Sequence, residues 1–137
     1  MIAIDSSAIV AILLNEPHAP ALLARIAAEP FAERRMSVAS YLEVGSVMAA
    51  RMRRDRHAAV ADLENLLTDL SIALEPVDQA QARIALRARI DFGRGMGHGG
   101  LLNFGDCFSY ALAKALNAPL LFIGDDFPTT DIEIAAQ

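Results

Sequence analysis

At 137 residues, 54% hydrophobic and with a net charge of -5, the chain is the size of one domain and can bury roughly two-thirds of its unfolded surface. No apolar run reaches the ~18 to 20 residues that span a bilayer, and a single cysteine, Cys107, rules out an internal disulfide and agrees with a reducing cytoplasm. The negative balance excludes a grip on nucleic acid by bulk electrostatics, so a polyanionic substrate would need local help.

Strand and helix signals alternate along the chain. Met1 to Ile4 is short and apolar and stops at Asp5-Ser6-Ser7, which opens the Ala-rich helical segment Ala8 to Leu14. This apolar start has no basic leader or cleavage site, so it is expected to belong to the fold rather than to a signal peptide. Pro17 and Pro20 admit a second helix with Leu22, Leu23, Ile26 and Ala27 at helical spacing, ended by Glu29-Pro30. Arg35 to Val38 reads as the next strand. A buried helix from Ala39 to about Arg54 and a second from Ala58 to Leu70, with Val60, Leu63, Leu66, Leu67 and Leu70 on one stripe, form a hairpin.

Ser71 to Leu74 is a short strand, after which Asp78 caps a helix whose Ala82, Ala85, Leu86 and Ile90 share a face. Phe92 to Gly105 holds six of the eight glycines and is a loop. Asp106 to Leu116 is helical, Asn117-Ala118-Pro119 ends it, and Leu120 to Ile123 has the continuous apolar character of a strand buried in a parallel sheet. Asp131 to Ala135 is a candidate edge strand. Strands alternating with helices predict an α/β fold with a central parallel sheet covered on both faces, with ligands bound beyond the carboxyl ends of the strands.

That rule selects acids. Asp5 follows the first strand directly, and Asp125-Asp126 follow the Leu120 to Ile123 strand after one glycine; Glu43 lies near the start of the helix after the second strand, and Asp106 opens the helix after the glycine loop. All converge on one edge of the inferred sheet. Clustered, partly buried carboxylates repel one another unless a cation neutralises them, and oxygen donors suit a hard divalent ion, Mg²⁺ or Mn²⁺. A zinc site is disfavoured, because Cys107 stands alone and His18, His57 and His98 are scattered. A carboxylate-held metal can activate water against a phosphodiester.

Each acid also has an ordinary structural reading. Asp5 and Asp106 can cap helices, Ser40-x-x-Glu43 fits a capping box, and Asp125 or Asp126 can be turn residues. Caps explain single positions but not a shared edge. The arginines at 51, 53, 54 and 56 have two readings as well, a phosphate-binding patch or cations near a helix C-terminus.

The segments Ile4-Asp5-Ser6-Ser7-Ala8, Ser37-Val38-Ala39-Ser40-Tyr41-Leu42-Glu43, Asn103-Phe104-Gly105-Asp106-Cys107-Phe108 and Gly124-Asp125-Asp126-Phe127 with Thr130-Asp131-Ile132 together resemble the PIN-domain ribonucleases, in particular the VapC toxins. The resemblance implies one PIN domain over residues 1–137, an αβα sandwich, a homodimer, and Mg²⁺-dependent cleavage of RNA. Asp5, Glu43, Asp106 and one of Asp125 or Asp126 form the implied acidic metal site, with Asp126, before Phe127, preferred. It further implies a VapB-like antitoxin whose C-terminal segment crosses the site. The loop Gly93 to Gly100, with Met96 and Gly97 before His98 and Gly99 after it, departs from the family's basic and proline pattern, so an RNA contact by His98 is not carried over. Cys107 reads as a small core residue.

The alternative is a PIN-like module that keeps the fold and binds protein or RNA without cutting, which would not require all four acids. A phosphotransferase of the haloacid dehalogenase type is disfavoured because it needs a second Asp where Ser7 stands. A phosphoacceptor receiver domain lacks its central Asp and late Lys.

Overall fold

The computed structural model describes residues 1–52 and 55–137 and contains one parallel sheet of four strands in the order β3-β2-β1-β4. The strands are β1 (Ile2–Ile4), β2 (Arg34–Ser37), β3 (Ala73–Glu75) and β4 (Leu120–Leu121). The helices are α1 (Ser6–Leu13), α2 (Ala19–Ala27), α3 (Val38–Arg51), α4 (Arg56–Asp69), α5 (Gln79–Phe92) and α6 (Asp106–Leu116).

The central strand shows why the chain makes two layers of helix. Ile2, Ala3 and Ile4 are all fully buried, and successive strand side chains point to opposite faces. Ile2 and Ile4 enter a core built with Ile9, Leu22, Val44 and Leu63, whereas Ala3 enters a second core with Leu102, Ala111 and Leu112. Leu121 and Leu120 divide between the two cores in the same way. At about 1.5–3 kcal/mol for each fully buried aliphatic side chain, both faces of β1 must be covered, so α1 to α4 supply one layer and α5 and α6 the other.

Every predicted helix is present, and α6 has the predicted limits. α1 begins two residues earlier than predicted because Asp5 Oδ2 accepts from Ser7 N at 3.0 Å and starts the helix at Ser6. The predicted tail strand is reduced to one parallel bridge, Leu120 to Ile134. It is fastened by Leu120 N on Glu133 O and Ala135 N on Leu120 O, both 2.9 Å, and Tyr110 and Lys114 hold Asp131 just before it. One expectation is wrong about direction. In α5 the core takes Gln81, Ala85 and Ala88, while Leu86 and Ile90 are exposed; small alanines let α5 pack closely on α6, and the larger side chains turn outward.

The sequence reading gave Arg34 no role, yet it is 4% exposed at the first position of β2. Its Nε and Nη2 donate to Glu29 O at 3.1 and 2.7 Å, its Nη1 donates to Leu70 O at 2.8 Å, and its guanidinium lies 4.7 Å from the Phe31 ring centroid. One planar cation thus satisfies carbonyls beyond the ends of α2 and α4 that would otherwise be orphaned. Arg34→Met is expected to lower unfolding stability by about 3 kcal/mol, since charged hydrogen bonds contribute about 1.5–3 kcal/mol each and buried carbonyls are left unpaired. Arg35→Met, which breaks only the partly exposed ion pair with Glu75, should cost under about 1 kcal/mol. Urea denaturation of the two variants checks the difference.

Candidate functional site

The strand order reverses at β1: the chain runs outward through β2 and β3 on one side and returns as β4 on the other. Such a switch point leaves a crevice at the carboxyl ends of the two flanking strands. Here it is a cleft of about 350 Å³ whose lining includes Asp5, Glu43, Asp106 and Asp126.

Asp5 occupies the first position after β1, and Asp5 N donates to Leu121 O at 2.9 Å, which ties the ends of β1 and β4 together. The residue is 2% exposed. Oδ2 accepts from Ser7 N at 3.0 Å and from Ser7 Oγ at 2.6 Å, and Oδ1 accepts from Ser109 Oγ at 2.5 Å. Ser7 Oγ in turn accepts from Ile123 N at 3.0 Å. The capping and cleft readings of Asp5 are therefore compatible: one carboxylate edge caps α1 and the other faces Ser109 and the cleft.

Glu43 is one turn deeper in its helix than the capping-box reading requires. α3 begins at Val38, and its cap is Ser37, whose Oγ accepts from Ala39 N at 3.2 Å. Ser40 is buried inside the helix and caps nothing. Glu43 Oε1 accepts from Ser6 Oγ, and Oε2 lies so close to Gly105 that a Cβ there would collide with it. The cap of α6 also differs from expectation. Asp106 is the first helical residue, and Asn103 Oδ1 accepts from Asp106 N at 2.8 Å while Asp106 Oδ2 accepts from Asn103 N at 2.9 Å. With the capping taken by Asn103, the Asp106 side chain is left to line the cleft.

At the end of β4, Gly124 adopts φ +111, a conformation that glycine takes without strain, and turns the chain so that the two following acids diverge. Asp126 lines the cleft, whereas Asp125 is exposed outside its lining. Phe127 fixes this geometry from below: it is 2% exposed and its ring centroid lies 4.9 Å from that of Phe122.

Two cleft residues, Glu16 and Asn103, and the buried Ser109 that bonds Asp5 were given no role from the sequence. Glu16 also lines the cleft; Asn15, at φ 51, ends α1 in the left-handed conformation, and Glu16 N returns to Ala11 O at 2.9 Å. An Asn followed by Glu-Pro after a helix was the available signal. Asn103 and Ser109 carry only weak local signals, because their partners are set by reciprocal and long-range hydrogen bonds. His98 is exposed and does not line the cleft, and His18 and His57 are exposed as well. Of the arginine group, Arg51 and Arg56 are exposed, and the residues at 53 and 54 lie outside the described residues. Cys107 is buried in the second core, and burial pushes its thiol up.

The donor set fits a hard, water-retaining cation. Among the described residues no three acidic, histidine or cysteine side chains close on a point as a finished cage; the carboxylates ring the cleft instead. Mg²⁺ keeps several waters and needs only one or two direct carboxylates, so a ring with space for water suits it better than a tight cage. Uncompensated charge is also visible. Burial, opposed by the Asn103 amide and reinforced by Asp5 and Asp126, pushes the Asp106 carboxyl up to about 7. Among the described residues only Arg94 brings a cation within 4 Å of a cleft acid, with Nη2 3.9 Å from Asp126 Oδ1, and that pair is exposed and weak.

Comparison with protein families matches the PIN domain over residues 2–133. The chain is 46% identical over 132 residues to ribonuclease VapC42 of Mycobacterium tuberculosis, covering 96% of this chain and 97% of that protein. It is 46% identical to ribonuclease VapC28 of the same organism, with 96% of each covered, and 45% identical over 129 residues to ribonuclease VapC of Mycolicibacterium smegmatis, covering 94% and 95%. Among solved structures, Mycobacterium tuberculosis VapC20, described as a sarcin-ricin loop cleaving toxin, superimposes with a TM-score of 0.73 over 96% of each chain at 16% identity, a likeness of fold.

The raised Asp106 value has a direct consequence for stability. Between its ordinary 3.8 and about 7 the folded chain binds a proton that the unfolded chain has released, so stability falls as pH rises through that window. In EDTA, Asp106→Asn is expected to melt several degrees above the parent at about pH 7.5, and the gap is expected to close by about pH 4. Calorimetric melting across that range measures it.

Proposed function

The chain belongs to the PIN-domain family and, within it, to the VapC ribonucleases, and from that premise we propose that it is the toxin of a type II toxin-antitoxin pair, an endoribonuclease that hydrolyses RNA phosphodiester bonds at the acidic cleft. The single observation that carries this reading is the meeting of Asp5, Glu43, Asp106 and Asp126 around one cleft at the switch point of the sheet.

A divalent ion, Mg²⁺ with Mn²⁺ able to replace it, supplies Lewis-acid polarisation of the phosphodiester and a lowered pKa for the attacking water. Asp5 and Asp106 are its principal holders, each with one carboxylate edge already fixed by protein donors. Asp126 completes the acidic wall; Asp125, exposed at the rim, is left out of the site. Glu43 is held by Ser6, keeps lone pairs toward the cleft, and is placed to orient a water and take its proton. The surrounding Val10, Val47 and Ile123 lower the local dielectric, which strengthens these interactions.

The partner is a VapB-like antitoxin, and a basic segment of it complements a cleft rich in acids on a chain of net charge -5. The site of action is the cytoplasm, in keeping with one buried, unpaired cysteine. Among the described residues no helix is long and apolar enough to cross a membrane. A second copy of the chain covers the outer face of α5, where Leu86 is 62% exposed, Ile90 52% and the neighbouring Phe104 74%. Arg83 and Arg87 precede Asp91 on that face, a charge order that complements itself when two copies of α5 meet antiparallel across a two-fold axis.

Purified protein incubated with total cellular RNA and Mg²⁺ should give discrete fragments that EDTA abolishes. Asp5→Asn should remove cleavage by at least about a hundredfold while leaving a cooperative melt, because the amide oxygen can still accept from Ser7 N. Metal-independent cleavage, or full activity in Asp5→Asn, would refute the assignment. Leu86→Asp is expected to convert a dimer to a monomer by light scattering; an unchanged mass would place the partner copy elsewhere.

A further inference from the structure

Asp5 is held by more donors than a helix cap requires, and their hydrogen-bond arithmetic limits what it can offer a cation. Oδ2 has both lone pairs taken, by Ser7 N at 3.0 Å and Ser7 Oγ at 2.6 Å. Oδ1 accepts from Ser109 Oγ at 2.5 Å and keeps one lone pair.

Ser109 is 1% exposed and lies on α6 three residues after Asp106. A hydroxyl has one proton and an ionised carboxylate only accepts, so that proton is committed to Asp5. The 3.0 Å contact between the Ser109 and Ser40 hydroxyls must then be donated by Ser40, itself 2% exposed on α3. The donors form a directed chain from Ser40 through Ser109 to Asp5. It joins α3, α6 and the end of β1 inside the protein, where both hydroxyls are buried. Because residues three apart on a helix share a face, one turn of α6 presents Asp106 to the cleft and also steers Asp5.

Ser7 already confines Asp5 to coordination through Oδ1. Resting on the metal reading above, we propose that Ser109, oriented by Ser40, is a positioning residue that fixes the direction of the one free Oδ1 lone pair, which favours a small octahedral divalent ion over Ca²⁺. Mg²⁺ requires near-octahedral geometry at about 2.0–2.1 Å and so depends on the direction of each ligand, whereas Ca²⁺ takes about six to eight oxygens in flexible geometry and tolerates a ligand that turns. Loss of the Ser109 hydroxyl frees a second lone pair on Oδ1 and lets the carboxylate turn about the Ser7 bonds. That change weakens Mg²⁺ binding and removes the penalty against Ca²⁺.

The test is titration of metal-free parent, Ser109→Ala, Ser109→Thr and Ser40→Ala with Mg²⁺ and Ca²⁺, followed by thermal melting. Mn²⁺ paramagnetic resonance counts bound ions directly, and RNA cleavage is measured alongside. Ser109→Ala is expected to need about 10- to 100-fold more Mg²⁺ for the same shift, the range found when groups that orient metal ligands are removed. Its Ca²⁺ midpoint should hold or improve, so the preference for Mg²⁺ over Ca²⁺ narrows at least about tenfold. Ser109→Thr, which keeps the hydroxyl, should retain the parental preference, and Ser40→Ala should fall between.

A parental Mg²⁺ midpoint and Mg²⁺/Ca²⁺ ratio in Ser109→Ala would overturn the proposal while leaving the metal site intact. If Ser109→Ala does not fold in EDTA, an unchanged ratio in Ser40→Ala overturns it equally. A parent that responds to none of the three ions would refute the metal reading, and the positioning role with it.

Discussion

Carboxylates cannot be kept dry beside one another without compensation, and this constraint organises the whole cleft. Three of the four acids are anchored by close donors: Asp5 by Ser7 and Ser109, Glu43 by Ser6, Asp106 by the Asn103 amide. None of these donors carries a full positive charge. Hydroxyls and amides orient the carboxylates without neutralising them, and burial, with added repulsion from Asp5 and Asp126, leaves Asp106 pushed up to about 7. The fold thus maintains an electrostatic deficit that a divalent ion can relieve. A buried arginine at the same place would have stabilised the apo protein and closed the site to metal.

The scaffold withstands that deficit because its most rigid parts meet there. β1 is fully buried between two cores, so the residue after it cannot move without disturbing both. α6 presents Asp106 and Ser109 from the same turn, and its Ala111, Leu112 and Ala113 are among the most buried residues of the molecule. Asp126, by contrast, follows a glycine turn and is anchored chiefly by Phe127. The cleft therefore has one side, around Asp5 and Asp106, set by the core and another, at the end of β4, set by a turn. That division agrees with the assignment of Asp5 and Asp106 as principal metal holders.

Much of the architecture was legible because its signals are local. Short runs bounded by turn residues or helix signals marked the strands, and the Asp106 to Leu116 helix was readable at both ends from a loop before it and Asn-Ala-Pro after it. Where local signals competed, the nearer rule misled. Ser40-x-x-Glu43 matches a capping box in spacing, but Ser37 starts α3 earlier, and Ser40 instead meets Ser109, 69 residues away. The apolar residues of α5 were expected to share a buried face, yet close packing on α6 favoured Ala85 and Ala88 and turned Leu86 and Ile90 outward. Arg34 gave no local signal at all, because the carbonyls it satisfies lie beyond the ends of two separate helices.

Hydrophobic period and strand-terminal position are properties of short segments, so the order of elements, the parallel sheet and the acids at strand ends could be read from the sequence alone. It marked Asp5, Glu43 and Asp106 for one edge and left the choice between Asp125 and Asp126 to resemblance. Only the tertiary structure decided which of that pair faces the cleft, through the φ of Gly124 and the burial of Phe127. It alone brought Glu16, Asn103 and Ser109 to the site. Those outcomes depend on contacts between residues far apart in the chain and on the packing of one helix against another, and no window along the sequence contains both partners.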